Sequence, residues 1–271
     1  MTDGSSAHET VTEHGASQGH GASPEHGPSH GHGASPEDGA ARERGAVSEG
    51  EASAEFARTA RTTPLRLRDR VSYERAAAYG ILDEAYYCHL GFVVDGEPRV
   101  LPTLHVRIDD TVYVHGSTGS RPLLAARSGE LPVCLTVTLL DGLVLARSQF
   151  HHSANYRSVV VHGRARLVTA DSEKTRVLTA LVDKVAPGRS SDTRPPTRKE
   201  LAETSVLAIP LTEVSVKSRT GGVKDEPEDL ALDFWAGVVP LRLVAGTPVP
   251  DEGVHRPLPS YLRTIAPEAV A

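Results

Sequence analysis

The central part of the chain is a succession of short segments rich in β-branched and aromatic residues, separated by turn-forming pairs. Tyr86 to Val94 ends at Asp95-Gly96, and Val100 to Ile108 ends at Asp109-Asp110, before a third segment at Thr111 to His115. Such pairs favour tight hairpin turns, and a hairpin joins antiparallel strands. Connections this short cannot carry the helical crossover that a parallel sheet needs.

The same pattern resumes later in the chain. Predicted strands at Val133 to Leu140 and Leu143 to Ala146 flank a further hairpin turn at Asp141-Gly142, and Ser158 to Leu167 continues the series. Two more β segments complete it: a strand pair over Ser205 to Lys217 and a last strand at Gly237 to Val244.

Helical periodicity is limited to the margins of this series. The predicted helices are Ser72 to Leu82, Arg121 to Ser128, Asp171 to Val185 and Thr197 to Glu203. Six or more strands with helices at the margins favour an α+β, mainly β, fold whose core is an antiparallel β-barrel.

The first sixty residues form a separate, low-complexity segment. They are mostly Gly, Ser, Ala, Glu and His, with histidines six residues apart at His8, His14, His20, His26 and His32. The repeat has no apolar position that could fill a solenoid, so we predict a disordered tail over 1–60, with weak metal capture as the alternative. Residues 61–250 form the predicted folded domain, and 251–271 a flexible C-terminal tail.

Charge and hydropathy exclude several classes of function. The net charge is -6, and no basic stripe or aromatic platform is present, which argues against nucleic-acid binding. No segment reaches the ~18 apolar residues that cross a bilayer, and the N-terminus lacks a signal-peptide core, so we expect a cytoplasmic protein. Cys88 and Cys134 lie in apolar runs and are predicted to be buried free thiols.

A dense polar cluster precedes a β-branched run between Phe150 and Arg166. Val159 to Val161 has the character of a buried strand. The hydrogen-bonding residues before it are His151, His152, Asn155, Tyr156, Arg157 and Ser158. We therefore predict a strand that faces a ligand. A metal site at His151 and His152 is not favoured, because adjacent strand residues point to opposite faces of a sheet.

The segment Gly116 to Arg121 leads from a strand into a short helix. Its hydroxyls, backbone amides and the Arg121 guanidinium are groups that can surround a phosphate, although a plain Gly/Ser turn has the same composition. Ser158 is not in a nucleophile elbow and the carboxylates are scattered, so we expect a cofactor to carry any chemistry.

Several landmarks occur in an order that resembles one known family. They are Arg99 to Thr103, Val114 to Ser117, Gly119 to Arg121, Asn155 to Ala165, Lys217 to Gly221 and Trp235 to Pro240. From about Thr63 to Val244 the chain resembles the pyridoxamine 5'-phosphate oxidase-related flavin-binding family, in the branch that includes nitroimidazole-resistance proteins. The resemblance implies a split β-barrel that forms a homodimer and binds FMN at the subunit interface.

The resemblance also implies a set of site residues. The implied cofactor-binding residues are Arg99, Val100, Leu101, Pro102, Thr103, His115, Gly116, Ser117, Ser120, Arg121, Arg157, Ser158, Lys217 and Trp235. His151 and His152 are the candidate catalytic proton donors. Pro122 stands where the oxidases have a phosphate-binding Lys, and the motif that grips their substrate is not recognisable, so oxidation of vitamin B6 is not expected.

The implied function is that of an FMN-dependent oxidoreductase. It would pass electrons from NADH or NADPH to a small acceptor such as a nitroaromatic or a quinone. Two alternatives stay open: the barrel could hold the deazaflavin F420 or haem in place of FMN, or it could be a flavin-binding or storage module without turnover.

Overall fold

The computed structural model describes residues 53–265, whose centre is one antiparallel sheet of nine strands. The strands are β1 (Val71–Ser72), β2 (Tyr87–Val94), β3 (Glu97–Ile108), β4 (Thr111–Ser117), β5 (Leu131–Leu145), β6 (Ser153–Leu167), β7 (Thr204–Pro210), β8 (Glu213–Arg219) and β9 (Gly237–Pro240). The helices are α1 (Arg75–Glu84), α2 (Arg121–Ala125), α3 (Asp171–Val185) and α4 (Arg198–Glu203). Strand and helix types agree with the prediction for most segments.

The sheet closes on itself. The strand order is β1-β8-β6-β7-β4-β3-β2-β5-β9, and β5 also pairs with β6, which closes the strands from β6 through β4 and β2 to β5 into a barrel. The long strand β6 pairs with β8 over Tyr156 to His162 and with β7 only at Arg166 and Leu167. Since β6 passes from one neighbour to the other, the barrel is split, and the predicted split β-barrel fold is confirmed.

Two apolar clusters hold the fold together. The larger fills the barrel with residues that alternate along the strands, such as Leu135 and Val137 of β5 and Val159 and Val161 of β6, all fully buried. The smaller lies outside the barrel, where Val177 of α3 packs over β3, β4 and β7. Burial of each such side chain stabilises the fold by about 1.5–3 kcal/mol.

The predicted hairpin turn at Asp141-Gly142 is wrong. β5 runs on from Leu131 to Leu145, and the register against β6 shifts between Leu140 and Gly142, which is a β-bulge. The turn lies instead between β5 and β6, where Gln149–His151 forms a 3₁₀ turn. His151 and His152 therefore occupy the tip of a hairpin and not a ligand-facing strand.

Among the described residues, the packed part of the chain already includes Phe56, ahead of the predicted boundary at residue 61. Phe56 is 3% exposed, and its N–H donates to the Tyr73 carbonyl at 2.8 Å. Its ring meets Tyr79 edge-on, with the Arg75 guanidinium 4.3 Å from its centroid. The His-rich repeat of the predicted tail lies outside the described residues.

Residues 251–265 contact the domain, although a flexible tail was predicted from residue 251. The Tyr261 hydroxyl donates to Asp192 Oδ2 at 2.9 Å and accepts from Arg189 Nη1 at 2.8 Å. Both partners belong to the loop after α3. The sequence pattern does not predict this contact between the loop and the C-terminal segment.

No helix in the described part of the chain is long and apolar enough to span a membrane. Cys88 is a fully buried free thiol, and burial raises its pKa to about 12. Cys134 is also free but only half-buried, because it lies on the outer side of β5. The predicted free thiols thus differ in accessibility.

Candidate functional site

A small cavity of about 70 Å³ lies where β2, β3 and β4 meet the start of α2. Its lining residues are Leu90, Leu101, Thr103, Val114, His115, Gly116, Ser120, Pro122, Leu123 and Leu207. β3 and β4 pair antiparallel, with His105 opposite Val114, and this pairing brings two predicted segments together. The predicted cofactor-binding residues that converge here are Leu101, Thr103, His115, Gly116 and Ser120.

Two polar atoms of this lining are buried without a partner. His115 Nδ1 and Ser120 Oγ have no hydrogen bond to any described residue. A buried polar atom left unpaired costs about 1–3 kcal/mol, so such atoms call for a ligand or a functional reason. Burial also lowers the pKa of His115, which keeps its imidazole neutral at neutral pH. A neutral imidazole can accept a hydrogen bond or ligate a metal ion.

Gly116 keeps the cavity open. A Cβ atom at this position would lie 3.0 Å from Leu123 Cδ1 and 3.4 Å from Ser120 Oγ. The first distance is too short for two carbon atoms, so any side chain here would push Leu123 or Ser120 into the space. Glycine at this point of β4 therefore leaves more room for the cavity than any other residue would.

The predicted residues of β3 divide between the two faces of the strand. Arg99, Leu101 and Thr103 pair with the buried residues of β2 and lie on the cavity side. Val100 and Pro102 lie on the opposite, outward side, where Val100 is 69% exposed. Arg99 Nε is another buried donor without a partner among the described residues. Alternation along a strand therefore removes part of the predicted stretch from the cavity.

The turn from β4 into α2 carries polar groups at the mouth of the cavity. The Ser120 N–H donates to the Ser117 carbonyl at 2.9 Å, and the Ser120 carbonyl accepts the N–H of Leu124 at 2.9 Å. These bonds fix the turn. Ser117 and Arg121 are exposed, and Arg121 forms no ion pair with any described residue. Its guanidinium is therefore available to an anionic group.

Three predicted cofactor residues of β6 and β8 have partners inside the chain. The Arg157 guanidinium bonds to the carboxylates of Glu84 and Asp141. The Ser158 hydroxyl donates to the Lys217 carbonyl at 3.0 Å, across the β6–β8 ladder. None of these side chains lines the cavity. Within the single chain the Arg157 and Ser158 side chains support the barrel, and the contact of all three residues with a cofactor stays a prediction.

The remaining predicted residues lie far from the cavity. His151 Nε2 is 3.5 Å from Glu226 Oε1, and His152 Nδ1 is 3.0 Å from the Ser148 carbonyl. Leu135 of β5 pairs with the cavity residue Leu90, and β5 continues for ten more residues toward the hairpin tip. The tip is therefore roughly 30 Å from the cavity along the strand. Trp235 is 67% exposed beside β9. Within one chain, these residues and the cavity do not meet.

A second polar cluster escaped the sequence analysis. His105 Nε2 and Lys184 Nζ lie 3.0 Å apart, and both are within 2.9 Å of the Leu82 carbonyl in the last turn of α1. Desolvation, and secondarily Lys184, lowers the pKa of His105 to about 4, and desolvation lowers the pKa of Lys184 to about 8. The cluster caps the end of a helix. The only sequence signal for this cluster is the single histidine among the apolar residues of β3.

Among residues 53–265, no group of three or more His, Cys, Asp or Glu side chains forms a metal site.

Comparisons with known proteins identify the family to which the chain belongs. A family model described as pyridoxamine 5'-phosphate oxidase matches residues 74–218. The flavocytochrome Anf3 from Azotobacter vinelandii is 37% identical, with 76% of this chain and 97% of that chain covered and a TM-score of 0.71. An FAD- and haem-binding protein from Mycobacterium smegmatis is 38% identical, with 73% and 97% covered and a TM-score of 0.69. No curated protein matches the chain.

Proposed function

Because the chain belongs to the pyridoxamine 5'-phosphate oxidase family, we propose that it is a redox protein that binds a flavin nucleotide together with a haem. Two similar proteins, at 37% and 38% identity, are named as a flavocytochrome and as an FAD- and haem-binding protein. The observation that carries the proposal is the cavity at β3 and β4, with its unpartnered His115 Nδ1 and Ser120 Oγ. Haem thus joins the flavin and does not replace it.

The mouth of the cavity fits the phosphate end of a flavin nucleotide. The Ser120 hydroxyl is an unpartnered donor, Arg121 is an unpaired cation, and Ser117 adds an exposed hydroxyl. A planar guanidinium can bind a phosphate through two hydrogen bonds, which compensates for the lysine that Pro122 replaces. Arg99 and Thr103 add polar groups on the strand beside it. FMN and FAD share this phosphate chemistry.

His115 is the residue that would bind the iron of a haem. Its imidazole is held neutral by burial, and a nitrogen with no protein partner lies beside the apolar side chains of Leu101, Val114 and Leu123. Iron binds the neutral form of imidazole, and a porphyrin ring favours apolar contacts. His105, by contrast, is enclosed, and its Nε2 already contacts Leu82 and Lys184.

The bound flavin would exchange electrons with a nicotinamide or a haem, while the protein supplies binding, orientation and exclusion of water. We propose that the chain works as a homodimer, takes electrons from NADH or NADPH, and passes them to a small acceptor such as a nitroaromatic or a quinone. His151 and His152 reach such a site only if a second copy brings its hairpin tip there. A storage module without turnover would bind the same flavin and show no such transfer.

The test is the spectrum and the ligand content of the purified full-length protein. We expect flavin absorption bands, a Soret band, and FAD or FMN in the mass spectrum of the acid-released ligand. Addition of NADH or NADPH without oxygen should bleach the flavin bands, and a nitroaromatic should restore them. A colourless protein that takes up neither flavin nor haem would refute the proposal. Release of F420, or a flavin that no nicotinamide bleaches, would favour one of the two rival functions.

A further inference from the structure

The segment after β8 exposes an unusual number of large apolar side chains. We define residues 226–244 as the C-terminal arm. Its exposed large apolar residues, between 36% and 87% accessible, are Leu230, Leu232, Phe234, Trp235, Val238, Val239, Leu243 and Val244. Single exposed apolar side chains are common on a soluble protein, but a run of this length within one short segment marks an interaction surface.

The backbone of the C-terminal arm is nevertheless held in place. β9 pairs with the end of β5, with Val239 opposite Leu143, and the Leu241 N–H donates to the Asp141 carbonyl at 3.0 Å. Gly142 permits this approach, because a Cβ there would lie 3.1 Å from the Val239 carbonyl oxygen. The apolar side chains of the arm are thus presented by an anchored backbone.

A second exposed apolar surface lies on the outward side of β2 and β3. We name it the outer face and define it by Tyr87, Val93, Val100 and the prolines Pro98 and Pro102. Tyr87, Val93 and Val100 are between 58% and 69% exposed. This surface and the C-terminal arm are both apolar, and neither is covered by any part of the described chain.

The anchored arm leaves the outer face of its own chain uncovered, because Tyr87, Val93 and Val100 stay 58–69% exposed in the folded chain. Gly91, which neighbours Val100 in the sheet, pairs with Cys134 of β5, whereas the arm is anchored at Leu143. The nine residues between these points of β5 span roughly 30 Å. Phe234 precedes β9 by three residues, which extend at most ~11 Å. Both surfaces therefore need a cover from outside their own chain.

Residues 1–52 are a poor candidate for that cover. Their only large apolar residues are Met1, Val11 and Val47, which is too little to match either surface. A second copy of the chain, however, carries both surfaces at once. Charge supports this choice, because the arm is acidic at Glu228, Asp229 and Asp233, whereas the exposed Arg164 pairs with the exposed Pro132 of β5, the strand next to β2.

We infer that two copies exchange their C-terminal arms, so that the arm of each copy lies on the outer face of the other. Such a contact is compatible with a twofold symmetric dimer, because a twofold rotation converts the arm-to-face contact of one copy into the same contact of the other. It buries both apolar surfaces with one symmetry operation. The inference rests on the homodimer proposed above and is independent of which cofactor is bound.

The test combines two arm substitutions, Phe234→Ser and Leu243→Ser, in the full-length protein. These positions leave the cavity and Trp235 unchanged. Light scattering should give a dimer for the wild type and a monomer, or a dimer weakened at least tenfold, for the double variant. Leu65→Ser, at a residue that is 90% exposed outside both surfaces, is the control and should stay dimeric. Circular dichroism confirms that each variant is folded.

A cysteine experiment distinguishes arm exchange from other dimers. Mixed Phe234→Cys and Val100→Cys chains should form a disulfide-linked dimer on oxidation, and neither variant alone should do so to the same extent. A dimeric double-serine variant without any such crosslink would overturn the arm exchange while leaving the dimer in place. A monomeric wild type would overturn both the dimer and the exchange.

Discussion

The Arg157 guanidinium and the Glu84 carboxylate form a two-point ion pair, with Nη1–Oε2 at 2.5 Å and Nη2–Oε1 at 2.9 Å. Asp141 accepts two further bonds from the same guanidinium, at 3.0 and 2.8 Å. The three residues belong to β6, the last turn of α1 and the bulge of β5. The ion pairs therefore tie a helix to the barrel at the place where the ladder is interrupted.

Substitution of Arg157 should lower the free energy of unfolding and have a smaller effect on the binding of the cofactor. Arg157→Gln leaves two carboxylates close together without their shared cation, and we expect a loss of about 1–2 kcal/mol. Urea unfolding measures this loss, and flavin content per chain measures binding. Arg198→Gln, at an exposed arginine of α4 without an ion pair to any described residue, is the control. A stable Arg157→Gln protein that has lost its flavin would instead place Arg157 in the cofactor site.

Gly116→Ala should weaken cofactor binding without unfolding the protein. The added methyl group would press on Leu123 and Ser120 and displace the unpartnered hydroxyl, so we expect a loss of about tenfold in flavin affinity. Fluorescence titration of the ligand-free protein gives the dissociation constant. In Gly119→Ala the new atom meets only Ser117 Oγ at 3.9 Å, and affinity should be retained. Equal effects of both changes would argue against the cavity as the site.

His105 should make the fold sensitive to mild acid. Its pKa is lowered to about 4 in the folded protein, against an ordinary value near 6.5, so the unfolded chain binds more protons between these values. The stability from the neutral imidazole is complete above pH 6.5 and declines as the pH falls to 4, by up to about 3 kcal/mol. Urea midpoints measured from pH 7 to 4.5 should fall less steeply in His105→Gln than in the wild type. His255→Gln, at an exposed histidine, should follow the wild type.

Phe56 should matter for stability although it lies in the segment predicted to be disordered. Phe56→Ala removes a buried ring from its contacts with Tyr79 and Arg75, and we expect a loss of about 3 kcal/mol. Leu65→Ala, a change at an exposed side chain, should cost less than about 0.5 kcal/mol. Thermal or urea unfolding of the full-length variants measures both. An unchanged stability of Phe56→Ala would indicate that the folded domain starts after this residue.

Local patterns in the sequence predict most of the fold. Asp95 and Gly96 adopt the positive φ angles of 56° and 77° that a tight hairpin requires, and α3 begins and ends where its apolar stripe does. Asp141-Gly142 misleads because a bulge and a turn both favour glycine, and only the pairing of β5 with β6 and β9 distinguishes them.

The residues of the candidate site also differ in how far the sequence predicts them, depending on whether the contact is local or long-range. His115, Gly116 and Ser120 are close in sequence, so the motif that contains them is recognisable before folding. The ion pairs of Arg157 and the contact of His105 with Lys184 join residues that are far apart in sequence, and no local pattern records such contacts. The structure adds intrachain partners for Arg157 and Ser158 of β6, and their role at a cofactor stays a prediction.

The most direct test of the account is the Soret band of His115→Ala beside that of the wild type and of His255→Ala, with each protein purified under the same conditions and supplied with haemin. We predict a Soret band in the wild type and in His255→Ala, its loss or a marked shift in His115→Ala, and flavin absorption in all three proteins. An unchanged Soret band in His115→Ala would contradict the assignment of His115, and the absence of both cofactors from the wild type would contradict the proposed function.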